Sequence, residues 1–351
     1  MAEAIGTSGA RGGFVDLVFE GGGVKGIGLV GALSLLEERG YRPRTLGGAS
    51  AGAIVATLRA AGYTAAELRE IVLGLDYRQF SDRDWEDRIP FLGAPLSILK
   101  DRGIYEGEAF LDFMQGLLRA KQVRTFSDLI DAEFAEDTNP LYRYRAQVIV
   151  SDLTERRLLV LPRDAHRLGV EPNDLDVALA VRMSMSIPIF FEPVRFRNPK
   201  TGREHLIVDG GMLSNFPVWL FDAAGVPEWP TFGLKLVEPD PVAMTLADRL
   251  PDEPPRRGIA GVIGYVKSLV STMVEAHDRF YIEENDFQRT IPIATLGVRT
   301  TEFDLPVERA IALFEEGRRA GAAFLTTWDF EAHKAQRLAD ARARFGLAAA
   351  A

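Results

Sequence analysis

The sequence contains no cysteine, which excludes disulfides, thiol nucleophiles and cysteine-ligated metals. It has no excess of positive charge: 41 Lys and Arg stand against 50 Asp and Glu, a formal net charge of -9. Nucleic-acid binding needs a clustered basic footprint, so that class is set aside. Nowhere do about 18 apolar residues run uninterrupted, as a membrane-spanning helix requires. The opening "MAEAIGTSGARGGF" lacks the charged start and apolar run of a signal peptide. These absences predict a soluble, cytoplasmic chain whose membrane contact is at most peripheral. Metal-ligand spacing of His or carboxylate pairs is also missing, so neither metal nor cofactor is expected.

What is present is ordinary for a globular protein: 351 residues, 47% hydrophobic and 26% charged. A chain of this length buries roughly 75% of its extended surface, enough for a large core. "FVDLVF" (14–19) reads as a strand running into glycines, and residues 24–39 read as a helix that Gly40 stops. Gly26, Gly28, Gly31 and Ala32 give that helix a thin face for close packing. A second short strand leads into "ASAGAIVATLRAAG" (49–62), a helix of small residues. Thr64 with Glu67 then forms a capping box for the next helix. Further helices are expected at 106–121 and 175–185, strands at 142–150, 156–161 and 231–237, and a hairpin between "SIPIFFEPVRF" and "HLIVDGG". Two helices close the chain.

This alternation predicts an α/β fold, a mostly parallel central sheet covered by helices on both faces, with a helical C-terminal extension. Residues 1–13 are expected to be a flexible N-terminus and 14–351 one domain, its helical cover spanning about 255–351. The stretch 239–258 is the best candidate for a break.

"FEGGGVKGIGLVGAL" (19–33) raises the first functional question. Gly21, Gly23 and Gly26 have the G-x-G-x-x-G spacing of a dinucleotide-binding turn. A strand, glycines and a helix N-terminus aim N–H groups at any anion, phosphate or oxyanion alike. A dinucleotide fold wants an acidic residue ending the second strand, to hold the ribose. Here that strand ends in Gly48, Ala49 and Ser50, while Glu37 and Glu38 belong to the helix end. The loop therefore reads as an oxyanion hole, with Gly22 and Gly23 N–H groups facing a tetrahedral intermediate. A tight turn alone would also use glycines.

"GASAG" (48–52) fits G-x-S-x-G, a nucleophile elbow in which Ser50 sits on a sharp strand-to-helix turn. Parallel neighbouring strands would bring it to the same sheet edge as the glycines, where open α/β sheets bind ligands. For a base there are four histidines, His166, His205, His277 and His333. Only His277 follows an attractive aspartate in Ser–Asp–His order, and its charged helical surroundings read rather as solvated surface. Asp209 is the other candidate: "LIVDGG" ends a hydrophobic strand and two glycines follow. It could also be a turn aspartate bonded to its own backbone.

Together "GGGVKG" (21–26), "GASAG" (48–52) and "DGG" (209–211), with "AVRMSMSIPIFFEPV" (180–194), resemble the patatin-like phospholipases, bacterial members in particular. The resemblance spans about residues 14–220. It implies a three-layer fold and a lipid acyl hydrolase with a Ser–Asp dyad, Ser50 as nucleophile and Asp209 as base. Gly21, Gly22, Gly23 and Ala51 would line the oxyanion hole, supported by Lys25, Gly26, Gly48, Gly52, Gly210 and Gly211, with Asn215 and Pro217 extending the D-G-G segment. The implied substrate is a fatty-acyl ester of a phospholipid, lysophospholipid or other acyl lipid. Because an exposed aspartate near pKa 3.9 is a poor base for a hydroxyl, Asp209 is expected to be sheltered, with a raised pKa.

Lys25 at a helix start opposes the macrodipole, so it is expected to orient the glycine loop or meet a lipid phosphate. The apolar stretch 89–99 and the apolar face of 257–275 could bind acyl chains, touch a bilayer or pack in the core. Three alternatives stay open: a catalytically silent lipid- or partner-binding module, a nucleotide-binding oxidoreductase using Gly21–Gly26, and a Ser50–Asp209–His277 triad.

Overall fold

The computed structural model describes residues 13–74, 104–136, 140–188, 191–222, 225–238, 284–300, 302 and 304–345. The apolar stretch 89–99, the face 257–275, His277 and the N-terminal residues 1–12 lie outside them.

Strand β1 (Phe14–Phe19) turns through the glycines into a 3-10 turn (Gly23–Lys25) and helix α1 (Gly26–Glu38). Strand β2 (Arg42–Gly48) feeds α2 (Ala51–Ala60), and α3 (Ala65–Gly74) follows. Gly40 and Gly62 both adopt positive φ, 85° and 100°, where the two helices stop. The capping box forms as expected: Thr64 N–H donates to Glu67 Oε2 at 2.7 Å, and Glu67 N–H donates to Thr64 Oγ1 at 3.2 Å. After α4 (Ile104–Ala120) come α5 (Pro140–Arg143), β3 (Ala146–Asp152), β4 (Arg157–Leu161) and α6 (Val177–Ser184). The hairpin β5 (Val194–Arg197) and β6 (Glu204–Asp209) precedes β7 (Thr231–Val237). Helix α7 (Glu284–Gln288), β8 (Thr290–Ala294), α8 (Val307–Leu325) and α9 (Phe330–Phe345) complete the described chain. One expectation needs correcting: Tyr142 and Arg143 belong to the short helix α5, so the strand begins at Ala146. Pro140 fits the first turn of a helix.

The sheet order is β5-β6-β3-β2-β1-β7-β8, with β4 paired to β3. The pairs β1–β2, β1–β7, β2–β3 and β7–β8 are parallel, while β4, β5 and β6 join antiparallel. Alternation along the strands sorts the core. Val15, Leu17 and Phe19 of β1 join the large cluster with α1, α2, α4, α6 and α8. Val18 and Ile149 face the other way, onto Leu220 and Phe221 of a short 3-10 helix. Ten of the thirteen α1 residues are buried, so α1 is a central rather than a surface helix. The expected thin face is used against α8: a Cβ on Gly31 would strike the Phe314 carbonyl, and one on Gly317 the Gly28 carbonyl. The C-terminal helix α8 thus belongs to the main helical layer. Among the described residues no helix is long and apolar enough to cross a membrane.

Candidate active site

Strand β3 has two edges, and β4 takes one of them along residues 148–152. The other edge is shared. Strand β2 covers its first half in parallel, ending with Gly48 opposite Val148. Strand β6 covers the second half antiparallel, ending with Asp209 opposite Val150. The two strands therefore run toward each other and stop on either side of Ile149. Ser50, two residues past Gly48, and Asp209 are brought together by this meeting.

Ser50 is buried, with φ 51° and ψ -128°, a backbone that non-glycine residues rarely adopt. The sharp turn needs room on its inner side. A Cβ on Gly52 would overlap the Phe19 carbonyl, and one on Gly48 would sit 2.6 Å from the Gly52 carbonyl carbon. The small residues of "GASAG" are thus what allow α2 to start against the end of β1. Ser50 N–H donates to Ser184 Oγ at 2.9 Å, and Ser50 Oγ lies 3.6 Å from Met185 Sδ.

Asp209 is buried as well. Its Oδ1 accepts the Gly211 N–H at 2.7 Å, the local turn bond that its type favours. Its Oδ2 is buried with no hydrogen-bond partner among the described residues in this rotamer of Ser50. Burial pushes the carboxyl up from 3.8 to about 7, and the Ser50 hydroxyl and Gly211 N–H pull the other way. Ser50 therefore lies near enough to act on the carboxylate even while its O–H is turned to Met185. Asp209 N–H donates to the Ser186 carbonyl at 3.0 Å.

The glycine loop is held from several sides. Gly21 N–H donates to the Asn215 carbonyl at 3.0 Å, and Asn215 Nδ2 donates back to the Gly21 carbonyl at 3.1 Å. Gly21 is therefore set apart from the expected oxyanion donors, because its N–H is already committed. Gly22 and Gly23 N–H groups make no hydrogen bond among the described residues, and Gly23 takes φ 55°. The Thr300 carbonyl accepts Val24 N–H at 3.3 Å and closes the loop's outer side. Before the glycines, Glu20 is buried, bound to Lys235 Nζ at 2.9 Å and to Leu236 N–H. Nothing in the local sequence marks Glu20, Ser184 or Met185, since their partners are distant in the chain.

Lys25 is buried and its Nζ donates to Glu238 Oε1 at 2.7 Å, while Glu238 Oε2 accepts the Thr295 hydroxyl at 2.8 Å. It ties the glycine loop to the ends of β7 and β8. Glu37 binds Arg59 and the Ala65 N–H, and Glu38 binds Arg318, all at the far end of α1. Neither carboxylate can reach the glycines, which removes the ribose ligand of a dinucleotide site. His205 is buried in a pair with Asp152, 2.7 Å from Nδ1 to Oδ2, and His333 is buried against Trp328. Among the described residues no group of three His, Asp or Glu is placed to hold a metal ion.

Comparison with known proteins agrees with this fold. A family model described as patatin-like phospholipase matches residues 17–222. The uncharacterized protein YqhO of Bacillus subtilis (strain 168) is 37% identical over 321 residues, 90% of this chain and 100% of that one. The probable lipid hydrolase 463L of Invertebrate iridescent virus 6 is 24% identical over 205 residues, 58% of this chain and 62% of that one. Among solved structures, VipD from Legionella pneumophila superposes with a TM-score of 0.54 at 18% identity, over 91% of this chain and 68% of that one. That last likeness concerns the fold. The chain belongs to the patatin-like phospholipase family.

Proposed function

We propose that the chain is a serine acyl hydrolase that cleaves carboxylic esters of phospholipids, lysophospholipids or other acyl lipids through Ser50 and Asp209. The observation that carries this reading is the buried Asp209, its pKa raised to about 7, beside a serine held in an elbow. A general base works best with a pKa near the working pH. Asp209 meets that condition without a histidine.

The chemistry follows from the residues. The Ser50 O–H turns from Met185 to Asp209 Oδ2, and Oγ attacks the ester carbonyl carbon as its proton passes to the carboxylate. The carbonyl oxygen becomes an oxyanion facing the N–H groups of Gly22 and Gly23, with Ala51 N–H at the start of α2. Loss of one such donor typically costs about 2.7–4 kcal/mol of transition-state stabilisation. The carbon–oxygen bond to the alcohol breaks, and Asp209 returns the proton to that leaving oxygen. Water then attacks the acyl-Ser50 carbon, gives a proton to Asp209, and the fatty acid leaves as Ser50 regains its hydrogen.

Gly26, Gly48, Gly52, Gly210 and Gly211 serve as supports that permit close backbone approach, and Lys25 orients the loop. The relative named as a probable lipid hydrolase supports an acyl-lipid substrate. Product formation from a lysophospholipid and from a p-nitrophenyl acyl ester tests the reading. Both are expected with the parent protein and neither with Ser50→Ala. Folded parent protein that hydrolyses neither, with or without detergent vesicles, would favour a silent lipid-binding module instead.

A further inference from the structure

Resting on the serine-hydrolase reading, we infer that Ser184 is the positioning residue of the nucleophile, holding the Ser50 elbow through its hydroxyl. Three consecutive residues at the end of α6 each touch one part of the Ser50–Asp209 pair. Ser184 Oγ accepts the Ser50 N–H at 2.9 Å, Met185 Sδ faces Ser50 Oγ at 3.6 Å, and the Ser186 carbonyl accepts the Asp209 N–H at 3.0 Å. One short segment therefore sets both halves of the pair.

The gap between β2 and β6 explains why a hydroxyl is needed. Ile149 lies between the last β2 pairing, at Val148, and the last β6 pairing, at Val150. Across the other edge, Val160 turns its own N–H and C=O to Asp164, at 2.8 Å each, away from β3. The Ile149 carbonyl thus faces the gap, where neither strand supplies a donor. Ser184 Oγ donates to it at 2.7 Å. With its proton on Ile149, the hydroxyl can only accept from Ser50, so its orientation is fixed. Ser184 is fully buried, and water cannot replace it at the surface.

The segment is itself braced. Arg182, one turn back, donates through Nη1 to Ser186 Oγ at 2.5 Å, through Nη2 to the Glu192 carbonyl at 3.1 Å and through Nε to the Gly107 carbonyl at 3.1 Å. Two bonded neighbours on β3 and α4 hold the clip at both ends. Ser50 at φ 51° would relax if its N–H lost its acceptor, and the nucleophile would drift from the attacking geometry. Misplacement of a reacting atom costs rate, not ground-state binding.

The test is the rate of covalent labelling by a lipid-like fluorophosphonate, with kcat and KM for a p-nitrophenyl ester, in Ser184→Ala, Ser184→Cys and Ser184→Thr. Labelling of the parent, absent in Ser50→Ala, first secures the serine reading itself. Ser184→Ala is then expected to label and turn over about tenfold slower or worse, the scale of one lost hydrogen bond, with KM within about twofold. Ser184→Thr, which keeps the hydroxyl, is expected to recover most of the rate. Thermal melts separate this from unfolding. If Ser184→Ala fails to fold, Ser184→Cys, close in size but a weak acceptor, carries the same expected loss. Labelling at the parental rate in a folded Ala or Cys variant, or an equal loss in kcat and in affinity, overturns the inference.

Discussion

Gly48 and Asp209 end their strands on the same edge of β3 from opposite directions, one opposite Val148 and the other opposite Val150. A parallel and an antiparallel partner meeting head-on leave a gap one residue wide. The serine elbow and the carboxylate are the two chain ends that bound it. This arrangement buries Asp209 deeply enough to raise its pKa and places it beside Ser50.

The pH dependence is the first. In the proposed mechanism Asp209 accepts the serine proton only when ionised, and burial holds its pKa near 7. With a soluble ester, kcat/KM is expected to climb as pH rises from 5 to 8, reaching half its plateau near 7. A rate already at plateau by pH 5 would mean an unshifted carboxylate and a different base.

Replacing Asp209 separates the proposed function from stability. Asp209→Asn is expected to lower kcat by roughly 10²–10⁴-fold, the usual worth of a positioned general base. Its effect on stability has the opposite sign. A carboxyl whose pKa is raised on folding leaves stability intact below its unfolded pKa of 3.8 and removes it as pH rises through the folded value near 7. The full penalty above pH 7 is on the order of 4 kcal/mol, at about 1.36 kcal/mol per pKa unit. Asp209→Asn should therefore melt higher than the parent at pH 8, and the difference should vanish near pH 4. Asp16, buried against Trp229 and Thr45 with a pKa also near 7, keeps a similar slope in both proteins.

Lys25 gives a test of what the glycine loop meets. Because its Nζ is held by Glu238, Lys25→Met is expected to reduce hydrolysis of a phosphate-free ester and of a lysophospholipid by the same factor. A loss confined to the phospholipid substrate would show that the lysine reads a headgroup phosphate. Glu238→Gln should reproduce part of the Lys25→Met effect, measured on the same pair of substrates.

The elbow's clearance predicts a steep response to one methyl group. Gly52→Ala drives a Cβ onto the Phe19 carbonyl, and overpacking of this kind costs about 1–3 kcal/mol. A melt lowered by several degrees and a large fall in activity are expected. Gly74→Ala, at a site where an added Cβ meets nothing within 4 Å, is the control and should leave both unchanged.

Much of the candidate site's geometry was legible in the sequence, and the reasons are local. The G-x-S-x-G and D-G-G motifs mark Ser50 and Asp209 because the backbone geometry they require is set within five residues. Gly40, Gly62 and the Thr64–Glu67 box announced their helix ends for the same reason. What the sequence hid depends on pairing between distant segments. "YRYR" alternates like a strand, yet Pro140 starts a helical turn there, and β3 begins only at Ala146. Nothing near Lys25 points to Glu238, 213 residues away. Ser184 and Met185 stood inside a stretch noted for its resemblance, but the acceptor of the Ser50 N–H appears only once α6 is laid against β3. The loop's spacing pointed to Gly22 and Gly23 as donors and the resemblance added Gly21, and only the Asn215 bonds show that Gly21 is anchored.

The most direct measurement is the intact mass of the protein after exposure to a lipid-like fluorophosphonate, run beside Ser50→Ala and Asp209→Asn. The account predicts one adduct on the parent, none on Ser50→Ala, and markedly slowed labelling of Asp209→Asn. An unlabelled but folded parent, or an adduct that persists in Ser50→Ala, would contradict it.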